Sequence, residues 1–252
     1  MPAPPSLAFE GVTKTYGAAR AVDDVTLAID GGQFVALVGQ SGSGKSTLLK
    51  TINRLIVPDA GRVTIDGADV GEGAAPVLRR RIGYVFQNVG LFPHLTVAEN
   101  IRVSQLIGGA PVDVDVRLDQ VELPRDLADR SPAQLSGGQR QRVGIARALA
   151  GEAKLLLMDE PFGALDPVTR NALGRRVRAL HGELGLTTIL VTHDMAEALL
   201  LADRVLVMDA GRIVADATPA ELLAGKGGPV ADALVAVPRE QARALAAIGR
   251  EG

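Results

Sequence analysis

Gly39-Gln-Ser-Gly-Ser-Gly-Lys-Ser46 is the stretch whose reading decides how the rest of the chain is understood. It fits Gly-x-x-x-x-Gly-Lys-Ser/Thr, a loop in which successive backbone N–H groups surround a polyphosphate. Gly39, Gln40, Ser41, Gly42, Ser43 and Gly44 form the cradle, Lys45 reaches the terminal phosphates, and the Ser46 hydroxyl binds Mg²⁺ in this reading. The flanks agree. Phe34-Val-Ala-Leu-Val38 is a short apolar strand-like run, and Thr47 to Arg54 is helix-forming, so a helix N-terminus is aimed at the anion. A glycine-rich turn is the plainer alternative, but it leaves the strand, the lysine and the helix unconnected. The chain is expected to bind a nucleoside triphosphate.

Composition narrows the classes. With 252 residues, 47% of them hydrophobic, the chain can bury one large core or two small ones. A net charge of −2 supplies no global basic field for nucleic acid or an anionic membrane. Aromatics are 3% of residues, too few for a base-stacking surface, so no nucleic-acid partner is expected. There is no cysteine, which removes disulfides and thiolate metal sites and makes a reducing cytoplasm the default. Met1-Pro-Ala-Pro-Pro5 lacks the order of a signal peptide. The apolar run Ala196 to Val207 is broken by Glu197, Asp203 and Arg204, well short of the roughly 20 residues that span a bilayer.

Along the chain, Val25, Leu27 and Ile29 alternate with polar or small neighbours as in a half-buried strand, and Leu7–Glu10 reads as a partner strand. Arg62–Asp66 and Ile82–Phe86 are further strands. From Gln87 to Ala150 prolines punctuate segments of helical spacing, including Val97–Ile101 and Asp115–Val121, which reads as a helical insertion over about 88–150. Leu155–Met158, Thr188–Thr192 and Arg204–Met208 return to strand, separated by helices over Pro167–Leu184 and Met195–Ala202. The expected division is a domain over 1–225 and a short tail over 226–252, with a loosely attached surface helix near Arg239–Ile248.

A phosphate loop needs a carboxylate at the end of a neighbouring strand to hold Mg²⁺, and Asp159 follows the apolar run Leu155–Met158. Glu160 is next to it, suited to orienting or deprotonating a water. His193 ends another strand; a lone histidine is usually a cap, but beside Asp159 a contact with the γ-phosphate is expected. His94 and His181 are read as loop and solvated-helix residues. Leu135-Ser-Gly-Gly-Gln139 precedes a helix, so Ser136, Gly137, Gly138 and Gln139 make a second anion-facing helix end. One chain has two such ends and one set of acids, which is explained if each chain offers the second to a partner's nucleotide.

Gly39–Ser46, Gln87, Leu135–Gln139, Leu155–Glu160, Ala164-Leu-Asp166 and His193 occur in the order and spacing of ATP-binding cassette (ABC) ATPase subunits of membrane transporters, and the chain resembles that family from about 6 to 225. The resemblance implies an α/β fold: a RecA-like P-loop NTPase core with a mainly parallel sheet, an N-terminal antiparallel β-subdomain and a helical insertion. It implies that Tyr16 stacks on adenine, that Gly39 to Thr47 hold the phosphates and Mg²⁺, and that Gln87 contacts Mg²⁺ and water while linking the sheet to the insertion. It further implies that Ser136–Gln139 bind the γ-phosphate of ATP held by a second subunit, that Asp166 lies at that seam, and that Glu160 is the catalytic base. The implied partners are a second cassette, a permease in the membrane and, indirectly, a substrate-binding protein, at the cytoplasmic face of the membrane.

Thr51–Ile56, Gly90-Leu-Phe-Pro-His94 and Met158–Pro167 are similar to importers of glycine betaine, choline and carnitine; amino-acid and inorganic-anion importers share much of these runs. Many osmoprotectant ATPases carry paired CBS modules after the cassette, whereas about 27 residues follow here, so ionic-strength sensing through such modules is not expected. Leu91 and Phe92 are apolar in what reads as a loop, and both are expected to face a partner. A GTPase or small-molecule kinase would share the phosphate loop but has no use for Leu135–Gln139, and no Asn-Lys-x-Asp guanine reader is present. A non-transport ABC protein would share every motif, usually with a long coiled-coil insertion or a second cassette in the chain.

Overall fold

A computed structural model describes residues 3–106, 110–151 and 153–248. Two long strands, β1 (Leu7–Tyr16) and β2 (Ala19–Ile29), are followed by β3 (Phe34–Val38), which leads through the glycine-rich loop into α1 (Lys45–Ile52). Next come β4 (Ala60–Ile65), β5 (Ala68–Asp69), α2 (Ala75–Arg80) and β6 (Ile82–Val85). The helical insertion holds α3 (Val97–Leu106), α4 (Val114–Gln120) and α5 (Gly137–Leu149). The chain then alternates through β7 (Leu155–Asp159), α6 (Pro167–Leu184), β8 (Thr187–Thr192), α7 (Met195–Leu201), β9 (Arg204–Asp209) and β10 (Arg212–Ala217), and finishes with α8 (Pro219–Leu223) and α9 (Gly228–Ile248).

One sheet has the order β10-β9-β3-β8-β7-β6, parallel throughout except for the β9–β10 hairpin at its edge. The other, β2-β1-β4-β5, is antiparallel. All five residues of β3 are buried. Since successive side chains leave a strand on opposite faces, such a run is stable only with a layer on each side. Val35 and Leu37 join Leu48, Leu49 and Ile52 of α1 and Phe9, Val25 and Val63 of the antiparallel sheet. Phe34, Ala36 and Val38 join Ile145 and Leu149 of α5 and Leu173 and Val177 of α6. Full burial of each large aliphatic or aromatic side chain contributes about 1.5–3 kcal/mol, so this double layer holds the loop's root rigid.

Parallel pairing also fixes where the functional residues emerge. Val38 pairs with Thr192, and Asp159 with Val191, so the segments after β3, β7 and β8 leave the sheet side by side at one edge.

Several expectations are corrected here. The helix after the phosphate loop starts at Lys45 and stops at Ile52, with Asn53 as its cap; Arg54 already has a positive φ of 55°. His181 is not solvated. It lies inward on α6 with Val177 and Leu180, 5% exposed, its Nδ1 2.9 Å from the Thr188 Oγ1 and its ring centroid 5.2 Å from that of Phe34. The tail is not wholly loose: α9 packs on α7 and β10, and Ala231 and Val235 are buried in the main core. Exposed side chains follow Pro238, as at Glu240, Arg243 and Ile248. Residues 249–252 of the expected tail lie outside the described residues. Among the described residues no helix is long and apolar enough to cross a membrane.

Burial, with the nearby Arg178 charge, holds the His181 imidazole below its ordinary value of 6.5. The unfolded chain then binds the extra proton more readily, so this contribution is whole above about pH 6.5 and is lost as pH falls below it. The stability gap between wild type and His181→Gln, measured by urea unfolding, should therefore shrink between about pH 7.5 and about pH 5.5.

Candidate nucleotide site

The loop from Gly39 to Gly44 is pressed between two strands. A Cβ on Gly39 would lie 2.1 Å from the Met208 carbonyl oxygen of β9, and one on Gly44 would lie 1.9 Å from that of Ala21 in β2. Gly44 also has a φ of 107°, which favours glycine. Lys45 begins α1 and its ammonium folds back over the loop, donating to the carbonyls of Gly39 (2.8 Å) and Gln40 (2.7 Å) and to the Ser43 hydroxyl (3.3 Å). Burial pushes the Lys45 pKa down, while the charges of Glu160 and Asp159 oppose that shift.

Asp159, at the end of β7, is buried and both its oxygens are engaged. The Ser46 hydroxyl donates to Oδ1 at 2.7 Å. The Lys50 ammonium stands 3.2 Å from Oδ2, and the Tyr84 hydroxyl donates to the same oxygen at 3.4 Å. Burial, and then the Asp159 charge, raise the Tyr84 phenol above its ordinary range, so it is a fixed donor. Glu160 follows with a φ of 46°, a conformation that costs a non-glycine residue about 1–3 kcal/mol. Its N–H donates to the Val191 carbonyl at 2.9 Å, holding the turn. Glu160 Oε2 accepts from the Gln87 Nε2 at 3.2 Å and lies 3.3 Å from the His193 Nδ1. Side chains from after β6, β7 and β8 thus meet at one carboxylate oxygen.

Tyr16 ends β1 with its ring 52% exposed; the Lys14 ammonium approaches to 5.7 Å of the ring centroid. Ser136 caps α5. Its hydroxyl accepts from the Gln139 N–H (3.2 Å), and the Gln139 side chain accepts from the Ser136 N–H (2.8 Å), which leaves the N–H groups of Gly137 and Gly138 at the open helix end. That end lines a cleft of about 610 Å³ together with Arg142, Asp166 and Thr169. The cleft includes no residue of Gly39–Thr47. Asp166 caps α6, accepting from the N–H groups of Val168 and Thr169.

Arg147 of α5 ties the segment after Gln87 to the helical insertion through the carbonyls of Val89 (2.6 Å) and Gly90 (2.7 Å). The Asn100 side chain captures both the N–H and the carbonyl of Phe92, leaving that ring 42% exposed. Leu91, expected to be exposed with it, is instead partly buried against the core. Loop residues adjacent in sequence face opposite ways once Asn100 fixes the backbone between them and the helix.

The donor set suits Mg²⁺. Among the described residues no three His, Asp or Glu side chains gather as a metal cage. Ser46 and Asp159 do meet, the Gln87 amide is bonded to the next residue, Glu160, and Mg²⁺ characteristically takes one or two protein oxygens plus phosphate and water.

A phosphate loop on β3–α1, an acid pair ending β7 and a parallel sheet together define a P-loop nucleoside triphosphatase fold. Residues 22–163 match the family model of the ABC transporter domain, and the chain belongs to that family. It is 51% identical over 223 residues to a carnitine transport ATP-binding protein of Listeria monocytogenes, covering 86% of this chain and 56% of that protein. It is 49% identical over 220 residues to a glycine betaine uptake ATP-binding protein of Escherichia coli K12 (85% and 71%) and 48% identical over 221 residues to a sulfate/thiosulfate import ATP-binding protein of Agrobacterium fabrum (85% and 64%). The chain thus spans little more than half the length of the Listeria relative. Among solved structures, a dimeric ATP-binding cassette in a post-hydrolysis state, bound to ADP and Pi, has a TM-score of 0.77 at 35% identity, covering 84% of this chain and 98% of that one.

Sequence reading had not found Lys50, Tyr84 and Arg147. Lys50 had a signal: four residues after Ser46 on a helix, it shares the Ser46 face. The other two act on groups remote in sequence. Gly44→Ala combines the Ala21 clash with a φ that disfavours alanine, the latter alone worth roughly 1–3 kcal/mol. Its urea midpoint should fall, and nucleotide binding followed by fluorescence titration should be lost even at temperatures where it remains folded.

Proposed function

We propose that this chain is the ATP-hydrolysing subunit of an ABC importer that brings a small solute into the cell. The observation that carries the reading is Glu160, held at one oxygen between Gln87 (3.2 Å) and His193 (3.3 Å) beside the phosphate loop. In this reading ATP lies along Gly39–Thr47 with adenine on the open Tyr16 ring, and Lys45 leaves its loop carbonyls for the terminal phosphates. Ser46, Asp159 and Gln87 hold Mg²⁺, which offsets phosphate charge when bound. Glu160 takes the proton of the attacking water, Gln87 and His193 hold that carboxylate, Gln87 contacts the water and His193 contacts the γ-phosphate.

A cleft that contains Ser136–Gln139 and Asp166 but none of the phosphate loop supports a shared site, in which two copies face each other and each completes the other's nucleotide pocket. The solved dimeric cassette supports the same arrangement. The exposed Phe92, on a segment tied both to Gln87 and to α5, suits a contact with a membrane permease at the cytoplasmic face, with a substrate-binding protein acting beyond it. The carnitine and glycine betaine relatives support a quaternary-amine osmoprotectant as the solute. An inorganic-anion importer is the second reading, favoured by the sulfate/thiosulfate relative. Uptake of labelled glycine betaine against labelled sulfate in vesicles carrying the whole transporter separates the two.

Positioned proton transfer contributes about 10²–10⁴-fold, so Glu160→Gln should lose most ATP turnover by that factor while still binding ATP. Light scattering of that variant with ATP and Mg²⁺ should show a dimer; rapid steady-state hydrolysis by it would remove Glu160 from the role. Phe92→Ser should leave basal ATPase of the isolated chain within about twofold and weaken permease capture in a pull-down, because surface substitutions away from structural features stay within about 0.5 kcal/mol. Unchanged capture would place the coupling surface elsewhere.

A further inference from the structure

Beyond the groups that face nucleotide, a polar bridge joins the turn at Leu165–Asp166 to the segment that carries His193. Arg170, in the first turns of α6, donates from Nη2 to the Leu165 carbonyl at 3.0 Å, and its own N–H donates to the Asp166 carbonyl at 2.9 Å. Its Nη1 is 3.7 Å from Asp194 Oδ2 and its Nε 3.6 Å from Glu197 Oε1. Glu197, in the first turn of α7, accepts from the Thr192 hydroxyl at 2.7 Å, and that hydroxyl accepts from the Asp194 N–H at 3.0 Å. Thr192 and Asp194 bracket His193, so the links from Leu165 to His193 are in place except where Arg170 meets the two carboxylates.

The exception is informative. Arg170 Nε is buried and makes no hydrogen bond, and its nearest carboxylate stands beyond bonding range. A buried charged donor without an acceptor is costly, and a shift of under about 1 Å would bring the Glu197 oxygen to ordinary N–H···O distance. Arg170 thus holds both carboxylates at ion-pair distance, 3.7 Å and 3.6 Å, with room for either contact to tighten.

We propose that Arg170 and Glu197 are a latch that closes when the Leu165–Asp166 turn moves, fixing the Thr192–Asp194 segment and so setting His193 against Glu160 for turnover. This rests on the shared-site reading above. Asp166 lines the cleft that would receive the second copy's nucleotide, whereas His193 serves the chain's own phosphate loop. The latch thus connects the two nucleotide-facing ends of one chain and makes hydrolysis at one site respond to occupancy of the other. Arg170 and Glu197 are positioning residues; neither touches the reacting atoms.

The test is a double-mutant cycle on the full chain with Arg170→Met, Glu197→Gln and both together, reading kcat, KM, the Hill coefficient for ATP and the ATP Kd of each. Each single change should lower kcat about tenfold and bring the Hill coefficient to about 1, with ATP Kd within about twofold of wild type. The double variant should be no slower than the worse single one, because both remove the same contact. A double variant slowed about 100-fold, a Hill coefficient that does not change, or an ATP Kd that worsens in step with kcat would overturn the latch. If Arg170→Met lowers the thermal midpoint by more than about 5 °C, Arg170→Lys takes its place in the cycle, since it keeps the charge but not the fork that reaches both Leu165 and Glu197. Wild-type protein that binds ATP without turning it over sinks the proposed function and the latch with it. Wild-type turnover with independent, multiplying variants sinks the latch alone.

Discussion

The in-register parallel pairing of β3, β7 and β8 is the constraint on which the rest depends. Val38, Asp159 and Thr192 end their strands beside one another, so three segments remote in sequence emerge at a single sheet edge. Parallel strands require cover on both faces, and the two apolar clusters supply it. A polar site at that edge can then be stiff without a cage of its own, because Gln87, Glu160 and His193 are each one or two positions from a strand end and Lys45, Ser46 and Lys50 stand on the packed helix α1.

Within that frame, charge is managed by pairing. Asp159 would be costly to bury alone, and it is held by Ser46 and Lys50 of α1 and by Tyr84 of β6. Glu160 is held differently, in a strained backbone conformation with one oxygen between Gln87 and His193. The adjacent acids therefore have unlike surroundings: one is buried and fully partnered, the other open to an approaching water. That difference suits the separate roles proposed for them, one toward a metal and the other toward a water's proton.

The helical insertion and the sheet are coupled by few but specific bonds. Arg147 reaches from α5 to the carbonyls after Gln87, and the open end of α5 shares a cleft with the cap of α6. Val89 and Gly90, two and three residues after Gln87, are thereby fixed to α5, and Arg170 fixes the Leu165–Asp166 turn to α6. These polar contacts lie over a continuous apolar core that includes residues of β3, α5 and α6.

Most of the fold, and the places in it from which the candidate site residues emerge, were legible in the sequence, because they rest on local signals: period-2 and wholly apolar strand runs, a glycine loop between a strand and a helix, and Ser136 capping a helix. The order of strands in the central sheet, the burial of His181 and the docking of Ala231 and Val235 were not legible. They depend on which face of a helix meets which strand, and no local pattern encodes that. The same holds for Leu91 and Phe92, whose opposite exposures are decided by Asn100 on another element. By itself the sequence determined which groups are available: a glycine-rich loop between a strand and a helix, two adjacent acids, a histidine and a second helix that opens on Ser136 and two glycines. Only the tertiary structure decided that the Lys50 charge and the Tyr84 hydroxyl meet Asp159 and that Ser136–Gln139 stand in a separate cleft from the loop, because contacts between remote segments exist only once the sheet has aligned their ends.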